Sequence, residues 1–438
     1  MLPQETLYMS LLLILYWLEE KDSKGNLNLD TINRYLETMQ TEINPSKSYE
    51  TSTKIILRSF SKFHDSKPFP IMDREDIIVY LNSLKKSENI DPLHKWIGTY
   101  NRYLTVLTRF FKWSENPILE PKQRPKPGVV QNIQQLRRRE QSIYKPTDLW
   151  TREDDLLFLK YCPSTRDKCY HTISRDLSAR PNEILGLKIK DIIFKNVGDK
   201  QYAECLVNGK TGTRHLPLID SLPYLKDWLD QHPQRNNHNS YLICSMDRKN
   251  LFGRMTRFGV RERYCKYQSK FFPKLLKDSG ISVEDKDKIR ELLKKPWNPY
   301  IRRHSALTEK SKFLRESTLR QHAGWSGRSQ MNLKYVHYFG NESNNSILQE
   351  YGILPKENEE VDVLKPKQCP NCNEPNRPDQ KFCFKCRMIL TYDAYKDTIE
   401  STSNKDKQIE TLVKKQEQFE QLLQTLIDSG QLKPLNAT

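Results

Sequence analysis

Two arginines, a lysine and a tyrosine lie in four separate segments whose residue types could act together on an anionic ester. Arg180 precedes a proline in Leu-Ser-Ala-Arg-Pro-Asn-Glu-Ile, and Lys210 lies in the turn-like sequence Asn-Gly-Lys-Thr-Gly. Arg303 lies in Asn-Pro-Tyr-Ile-Arg-Arg-His-Ser-Ala, and Tyr335 in Leu-Lys-Tyr-Val-His. Guanidinium groups bind phosphate oxygens in a fork geometry, and a tyrosine hydroxyl can act as a nucleophile. Taken alone, Arg180 and Lys210 are better explained as solvated surface residues.

Local patterns predict the elements that position these residues. Pro181 favours a helix start directly after Arg180, and Glu183 and Leu187 follow along one side of that helix. Residues 202 to 207 and 214 to 218 predict a hairpin, with Lys210 in the turn between them.

In this order and spacing, the segments resemble the catalytic domain of the tyrosine recombinase, or phage-type integrase, family. That family is built on an arginine, a hairpin lysine, a His-x-x-Arg pair, a Gly-His or Gly-Trp step, and a tyrosine about ten residues later. The resemblance implies that Arg180 and Arg303 bind the phosphate, that Lys210 protonates the leaving 5′-oxygen, and that Tyr335 is the nucleophile. Trp325, in Gly-Trp-Ser, matches the Gly-Trp step and would contact the phosphate.

The resemblance also implies an activity and its partners. We expect a site-specific recombinase that cleaves and rejoins double-stranded DNA through a 3′-phosphotyrosyl intermediate, integrating or excising a mobile element. No cofactor is expected to take part in catalysis, and no small-molecule substrate is expected. The reaction would be carried out by a homo-oligomer, a tetramer bound to paired DNA sites. Two alternatives are a type IB topoisomerase-like enzyme, which shares this chemistry, and a DNA-binding regulator whose catalytic site has decayed.

Two departures from the family pattern affect the proton transfers. Tyr300 occupies the position where the family usually has histidine, and a phenol with a pKa near ~10 is a poor base at neutral pH. Tyr300, His304, His322 or water could therefore serve as the base. The gap between Trp325 and Tyr335 is about one residue longer than in common bacterial members and resembles archaeal members of the family.

Four cysteines near the C-terminus form two Cys-x-x-Cys pairs, Cys369 with Cys372 and Cys383 with Cys386. Such pairs let four thiolates reach one tetrahedral ion, and an all-sulfur set favours zinc or iron. The spacing predicts a structural zinc ribbon, without the open coordination position that a catalytic metal requires.

Composition supports a nucleic-acid partner, because the 438 residues carry a formal net charge of +17. The most apolar stretch, residues 7 to 18, would span only ~18 Å as a helix, short of a ~30 Å hydrocarbon core. It predicts a buried amphipathic helix. We therefore expect a cytoplasmic protein, located at the nucleoid, with no membrane association.

The domain organisation is predicted as six consecutive segments of a mainly α-helical protein with a small β-sheet, an α+β class. These are an N-terminal helical segment at 1–44, a helical core DNA-binding domain at 45–117, a basic linker at 118–146, a catalytic domain at 147–355, a zinc ribbon at 365–390 and a heptad helix at 395–430. The basic residues of 45–117 fit either a solvated face or a clamp on DNA phosphates. The heptad helix fits either docking on its own catalytic domain or a coiled coil between protomers.

Overall fold

The computed structural model describes residues 27–138, 144–209, 212–327, 329, 331, 335, 351 and 363–428. The chain divides into two compact units, with the boundary between Ile143 and Tyr144. Within those ranges, no helix combines the length and apolar character needed to cross a bilayer. The apolar stretch at residues 7 to 18 lies outside the described residues.

The described part of the first unit contains four α-helices around an aromatic core: α1 (Leu27–Ile43), α2 (Lys47–Phe63), α3 (Arg74–Ser83) and α4 (Trp96–Glu115). Phe60 and Phe110 are fully buried in that core. Asp73 caps α3, because its carboxylate accepts a hydrogen bond from the backbone N–H of Asp76 at 3.0 Å.

Part of the predicted linker packs on these helices. The Arg124 guanidinium pairs with Glu42 of α1, with Nη1 3.0 Å from a carboxylate oxygen. Val130 is fully buried, and Asn101 of α4 binds the backbone of Leu136 through two hydrogen bonds of 2.8 Å. Residues 118 to 136 are thus tied to the first unit.

The second unit is mainly helical and contains a three-stranded antiparallel sheet in the order β1 (Ile192–Val197), β2 (Lys200–Gly209) and β3 (Gly212–Leu218). Strands β2 and β3 form the predicted hairpin, with Val207 opposite Arg214 and Gly209 opposite Gly212. Lys210 lies outside the described residues. The predicted fold class, mainly α with a small β-sheet, is confirmed, although β1 was not anticipated.

Nine helices surround this sheet in the described part of the second unit before the cysteine-rich segment. They are α5 (Arg152–Tyr161), α6 (Thr165–Leu177), α7 (Pro181–Ile184), α8 (Leu222–Asp230), α9 (Arg257–Lys266), α10 (Phe272–Leu275), α11 (Val283–Lys294), α12 (Pro299–Lys310) and α13 (Glu316–Ala323). Their apolar faces share one core. In this core Phe158 stacks on Phe272 and on Tyr264, with ring centres 5.8 Å apart in each pair.

A buried ionic network fixes α12 against α5 and α6. Asp155 accepts hydrogen bonds from Arg302, from Arg175 and from Nε2 of His171, the last at 3.1 Å. Arg302 is fully buried, with its guanidinium carbon 5.2 Å from the ring centre of Trp150. Burial opposes ionisation of Asp155, but the two arginine charges outweigh it and hold the pKa of this carboxyl well below its ordinary value.

The C-terminal segment of the second unit contains two short paired strands, β4 (Lys367–Gln368) and β5 (Pro375–Asn376), followed by the long helix α14 (Tyr392–Asp428). Leu364, just before β4, is buried in the core of the unit.

Candidate active site

Helix α12 begins at an Asn-Pro pair, and this start sets the direction of the residues that follow. The Asn298 side chain accepts hydrogen bonds from the backbone N–H groups of Tyr300 and Ile301, at 3.0 and 3.1 Å. Proline at the first helical position needs no hydrogen-bond acceptor. Arg303 and His304 therefore lie in the second turn of a firmly capped helix.

Arg303 is buried, and two backbone carbonyls hold its guanidinium. Nη1 donates to the Ser178 carbonyl at 2.6 Å, and Nη2 donates to the Ala323 carbonyl at 2.8 Å. Burial and the nearby charge of Arg180 lower the pKa of Arg303 to about 10. The group therefore stays protonated at neutral pH and provides a fixed positive charge.

Arg180 directly precedes the short helix α7 and lies on the open side of the same cluster, with 36% of its side chain exposed. Its Nη1 lies 2.8 Å from Glu183 Oε1 and 3.5 Å from the carbonyl oxygen of Gly324. Gly324 has a φ of +63° and ends α13, a left-handed conformation that glycine adopts without strain. The chain can therefore turn directly into Trp325.

Glu183 and Arg214 complete this part of the site, although no sequence motif predicted a role for either of them. Glu183 Oε2 accepts from Arg214 Nη2 at 2.7 Å, so that one carboxylate binds both Arg180 and Arg214. Burial disfavours its ionised form, but the hydrogen bonds from the two arginines lower the pKa of Glu183 below its ordinary value. Arg214 Nε also donates to the His322 carbonyl at 3.1 Å, which connects strand β3 to α13.

Tyr335 lies beside these arginines, and its hydroxyl is positioned by a histidine. The hydroxyl oxygen is 2.9 Å from Nδ1 of His304, and the phenol ring stacks on Trp325 with ring centres 5.3 Å apart. Burial raises the pKa of Tyr335 to about 12, although the charges of Arg303 and Arg180 act in the opposite direction. The phenol is therefore neutral at physiological pH, and it would need a proton acceptor to act as a nucleophile.

The remaining predicted residues differ in where they lie. Tyr300 is half-buried, and its hydroxyl accepts a hydrogen bond from Arg257 Nη1 at 3.3 Å. Burial, followed by the charges of Lys310 and Arg214, lowers the pKa of His322 to about 3. His322 is thus neutral at physiological pH.

The structure therefore brings together Arg180, Arg303, Trp325 and Tyr335, four of the six predicted site residues. His304, one of the candidate bases, lies next to the Tyr335 hydroxyl. Two fixed positive charges beside a neutral phenol and an imidazole can bind a phosphodiester and accept the phenolic proton during attack.

The four C-terminal cysteines form a second site. Their sulfur atoms all lie within 4.8 Å of one another, with 3.5 Å between Cys369 and Cys386 and 3.6 Å between Cys372 and Cys383. A tetrahedral ion with ~2.3 Å metal–sulfur bonds requires sulfurs roughly 3.8 Å apart. The four thiols are therefore arranged to bind one metal ion such as zinc.

The backbone around these cysteines supports the same arrangement. Asn373 and Arg387, which follow the second cysteine of each pair, have φ values of +56° and +63°. Each pair therefore ends in a tight turn, and the Asn373 N–H donates to the Cys369 carbonyl at 2.9 Å.

Ion pairs attach this cysteine-rich module to helix α8 of the same unit. Glu374 pairs with Lys226, and Arg377 Nη1 lies 3.2 Å from Asp227. The Arg377 guanidinium also lies 5.9 Å from the ring centre of Tyr224.

Comparisons with known proteins give distant structural similarities only. No family model matches the sequence, and no curated protein matches it. Three solved structures illustrate the identities, TM-scores and coverages that were found. A XerH site-specific recombinase bound to palindromic difH substrate, in a post-cleavage complex, is 16% identical, with a TM-score of 0.48 over 76% of this chain and 98% of that chain. A lambda integrase dimer bound to a COC′ core site is 13% identical, with a TM-score of 0.47 over 72% and 78%. A XerA recombinase is 15% identical, with a TM-score of 0.34 over 75% and 99%.

Proposed function

We propose that this chain is a site-specific recombinase that cuts and rejoins double-stranded DNA through a 3′-phosphotyrosyl intermediate, with Tyr335 as the nucleophile. One observation carries the proposal: the Tyr335 hydroxyl lies 2.9 Å from His304, in a cluster whose charges come from Arg303 and Arg180. A neutral phenol, a proton acceptor and two arginines are the groups that attack on a phosphodiester requires.

In the proposed reaction, Arg180 and Arg303 bind the non-bridging oxygens of the scissile phosphate and neutralise the charge that develops during attack. His304 accepts the phenolic proton as the Tyr335 oxygen bonds to phosphorus. The bond between phosphorus and the 5′-oxygen then breaks, and that oxygen takes a proton from Lys210. Rejoining reverses these steps, because a 5′-hydroxyl attacks the phosphotyrosine and releases the phenol.

Tyr300 and Trp325 have supporting roles in this proposal. Trp325 stacks on the nucleophile and fixes the plane of its ring. The Tyr300 hydroxyl lies next to Arg257, where it can donate a hydrogen bond to a phosphate oxygen.

The biological context is part of the same proposal. A net charge of +17 suits a partner that is a polyanionic duplex, and a tetramer on two paired sites would integrate or excise a mobile element at the nucleoid. Zinc bound by Cys369, Cys372, Cys383 and Cys386 would stabilise the C-terminal module without taking part in the chemistry.

Capture of the covalent intermediate tests this function. A library of nicked duplex fragments, in which the short strand with the 5′-hydroxyl diffuses away after cleavage, would be incubated with the full chain. We expect protein–DNA adducts joined through Tyr335, identified by peptide mapping and by sequencing of the attached 3′ end. Tyr335→Phe should form no adduct, whereas Tyr351→Phe, at a position that is 79% exposed, should behave like the wild type.

The outcomes separate the alternatives. Adducts that survive Tyr335→Phe would refute the assignment of the nucleophile, and a chain that binds DNA without adducts would be a regulator. Relaxation of any supercoiled plasmid without a preferred sequence would indicate a type IB topoisomerase-like enzyme instead.

A further inference from the structure

Helix α14 carries an apolar stripe that is open to solvent. Ile409, Leu412 and Phe419 are 58%, 65% and 61% exposed, although side chains of this size are usually buried. Val413 and Leu422, on either side of the stripe, are 48% and 59% exposed. Docking of the heptad helix on its own catalytic unit, one of the two options suggested by the sequence, would have covered these residues.

The stripe follows a heptad, with alternating steps of three and four residues. Ile409, Gln416 and Leu423 occupy the first position of successive heptads, and Leu412 and Phe419 occupy the fourth. A repeat of 3.5 residues keeps one seam of the helix directed at a partner helix. The occupant of the seam is therefore expected to be another helix.

We propose that α14 pairs with α14 of a second copy of this chain, parallel and in register. In a parallel pair, the residue before each first position faces the residue five places later on the partner helix. In this chain these residues are Lys415 and Glu420, which are opposite in charge. In an antiparallel pair, equivalent flanking positions face each other, and this lysine and glutamate would not meet.

Gln416 supports the same register. It is the one polar residue of the seam, and in an in-register parallel pair the two glutamine amides lie opposite each other and can hydrogen-bond. In the single helix, the Gln416 amide donates to Glu420 at 3.1 Å. A shift by one heptad would bury each Gln416 against an apolar side chain, which disfavours other registers.

Sedimentation equilibrium of the full chain without DNA tests the proposal. The wild type should dimerise reversibly, and Leu412→Glu should make it monomeric. Lys415→Glu and Glu420→Lys should each weaken the dimer about tenfold, because two attractive contacts become repulsive. The double variant should return to within about threefold of the wild type. Lys414→Glu and Glu417→Lys make the same charge changes on the outer face of the helix and should have little effect.

Three results would overturn the proposal: a wild type that stays monomeric, a Leu412→Glu variant that still dimerises, or a double variant that is no tighter than the single ones. Circular dichroism would verify that α14 stays helical in each variant. Cleavage of a single suicide site should be unchanged throughout, so failure of the dimer proposal is distinguishable from failure of the proposed reaction.

Discussion

Replacing Arg214 with alanine should impair both stability and catalysis, although this arginine is not expected to touch DNA. Its side chain is 8% exposed and donates to Glu183 at 2.7 Å and to the His322 carbonyl at 3.1 Å. Breaking a buried ion pair costs about 3–5 kcal/mol. Because Glu183 keeps its hydrogen bond to Arg180, we expect the free energy of unfolding to fall by the lower figure, about 3 kcal/mol.

The catalytic effect follows from the shared carboxylate. Without Arg214, the Glu183 charge acts on Arg180 alone and draws this guanidinium away from the phosphate. Losing one preorganised donor completely costs roughly 2.7–4 kcal/mol of barrier. Partial displacement, at about half that cost, should slow cleavage ~10–30-fold.

The assay is single-turnover cleavage of a suicide substrate with either a natural scissile phosphate or a methylphosphonate, which carries no negative charge. If Arg214 acts by orienting Arg180, Arg214→Ala should be slow on the phosphate and within about threefold of the wild type on the methylphosphonate. Arg180→Ala should show the same pattern, since the neutral ester has less need of a cation.

Arg254→Ala is the matched control. Arg254 also holds the region of α7, through the Asn182 and Leu185 carbonyls at 2.8 and 3.2 Å, but these contacts do not include Glu183. Arg254→Ala should lower the free energy of unfolding. Any change in its cleavage rate should be the same on the phosphate and on the methylphosphonate. Equal slowing of Arg214→Ala on both substrates would refute the positioning role and leave only a structural one.

Arg303, Lys210, the buried network around His171 and the four cysteines can each be tested separately. Arg303→Ala should slow single-turnover cleavage by two to three orders of magnitude, the loss of one fixed charge donor at ~2.7–4 kcal/mol, and wild-type rates would contradict the phosphate contact. Lys210→Ala should recover on a substrate with a 5′-bridging sulfur, which leaves without protonation; no recovery would move the general acid elsewhere. Burial lowers the pKa of His171 to about 3. Below pH 6.5, His171 therefore binds a proton in the unfolded state but not in the folded state, which favours unfolding. Urea titrations should therefore show stability falling from pH 6.5 towards 3, and His171→Gln should flatten this fall. Mass spectrometry under native conditions should find one zinc per chain, and Cys383→Ser or a chelator should lower the melting temperature of the C-terminal module; an unchanged melting temperature would exclude a structural metal.

The local elements and much of the site were predictable because each has a signature of its own. The hairpin followed from two runs of strand-forming residues around an Asn-Gly turn. Arg303 followed from the resemblance of its segment to the His-x-x-Arg pair, with Tyr300 in the place of the histidine. Strand β1 was missed, because of its six residues only Ile192 is buried, and an exposed edge strand gives little apolar alternation.

The connection between Glu183 and Arg214 was not predictable from the motifs, because it joins residues 31 positions apart through one carboxylate. One signal was available. Arg214 alternates with Leu216 and Leu218 along β3, so it faces the core, and a core-facing arginine needs a buried partner. Only the three-dimensional structure identifies Glu183 as that partner.

Packing also changes where the chain can be shortened. A deletion from residue 360 would remove Leu364 from the core of the second unit, together with the ion pairs that Glu374 and Arg377 make with α8. To separate the C-terminal helix from the proposed chemistry, a truncation should therefore begin after residue 391, which retains the cysteine-rich module.

The ion pair between Asp155 and Arg302 limits the insertions and substitutions that helix α12 can accept. Successive residues of an α-helix point about 100° apart, so Arg302 and Arg303 face different directions although they are chemically identical. Asp155 binds only the first of them, and this fixes the rotation of α12 about its own axis. Inserting one residue before Arg302 would turn Arg302 into the direction that Arg303 now has and would leave the inserted residue facing Asp155. Exchanging Asp155 for a neutral residue would leave the Arg302 charge buried without this carboxylate. Drift at Asp155 would therefore alter the site without changing any residue in it.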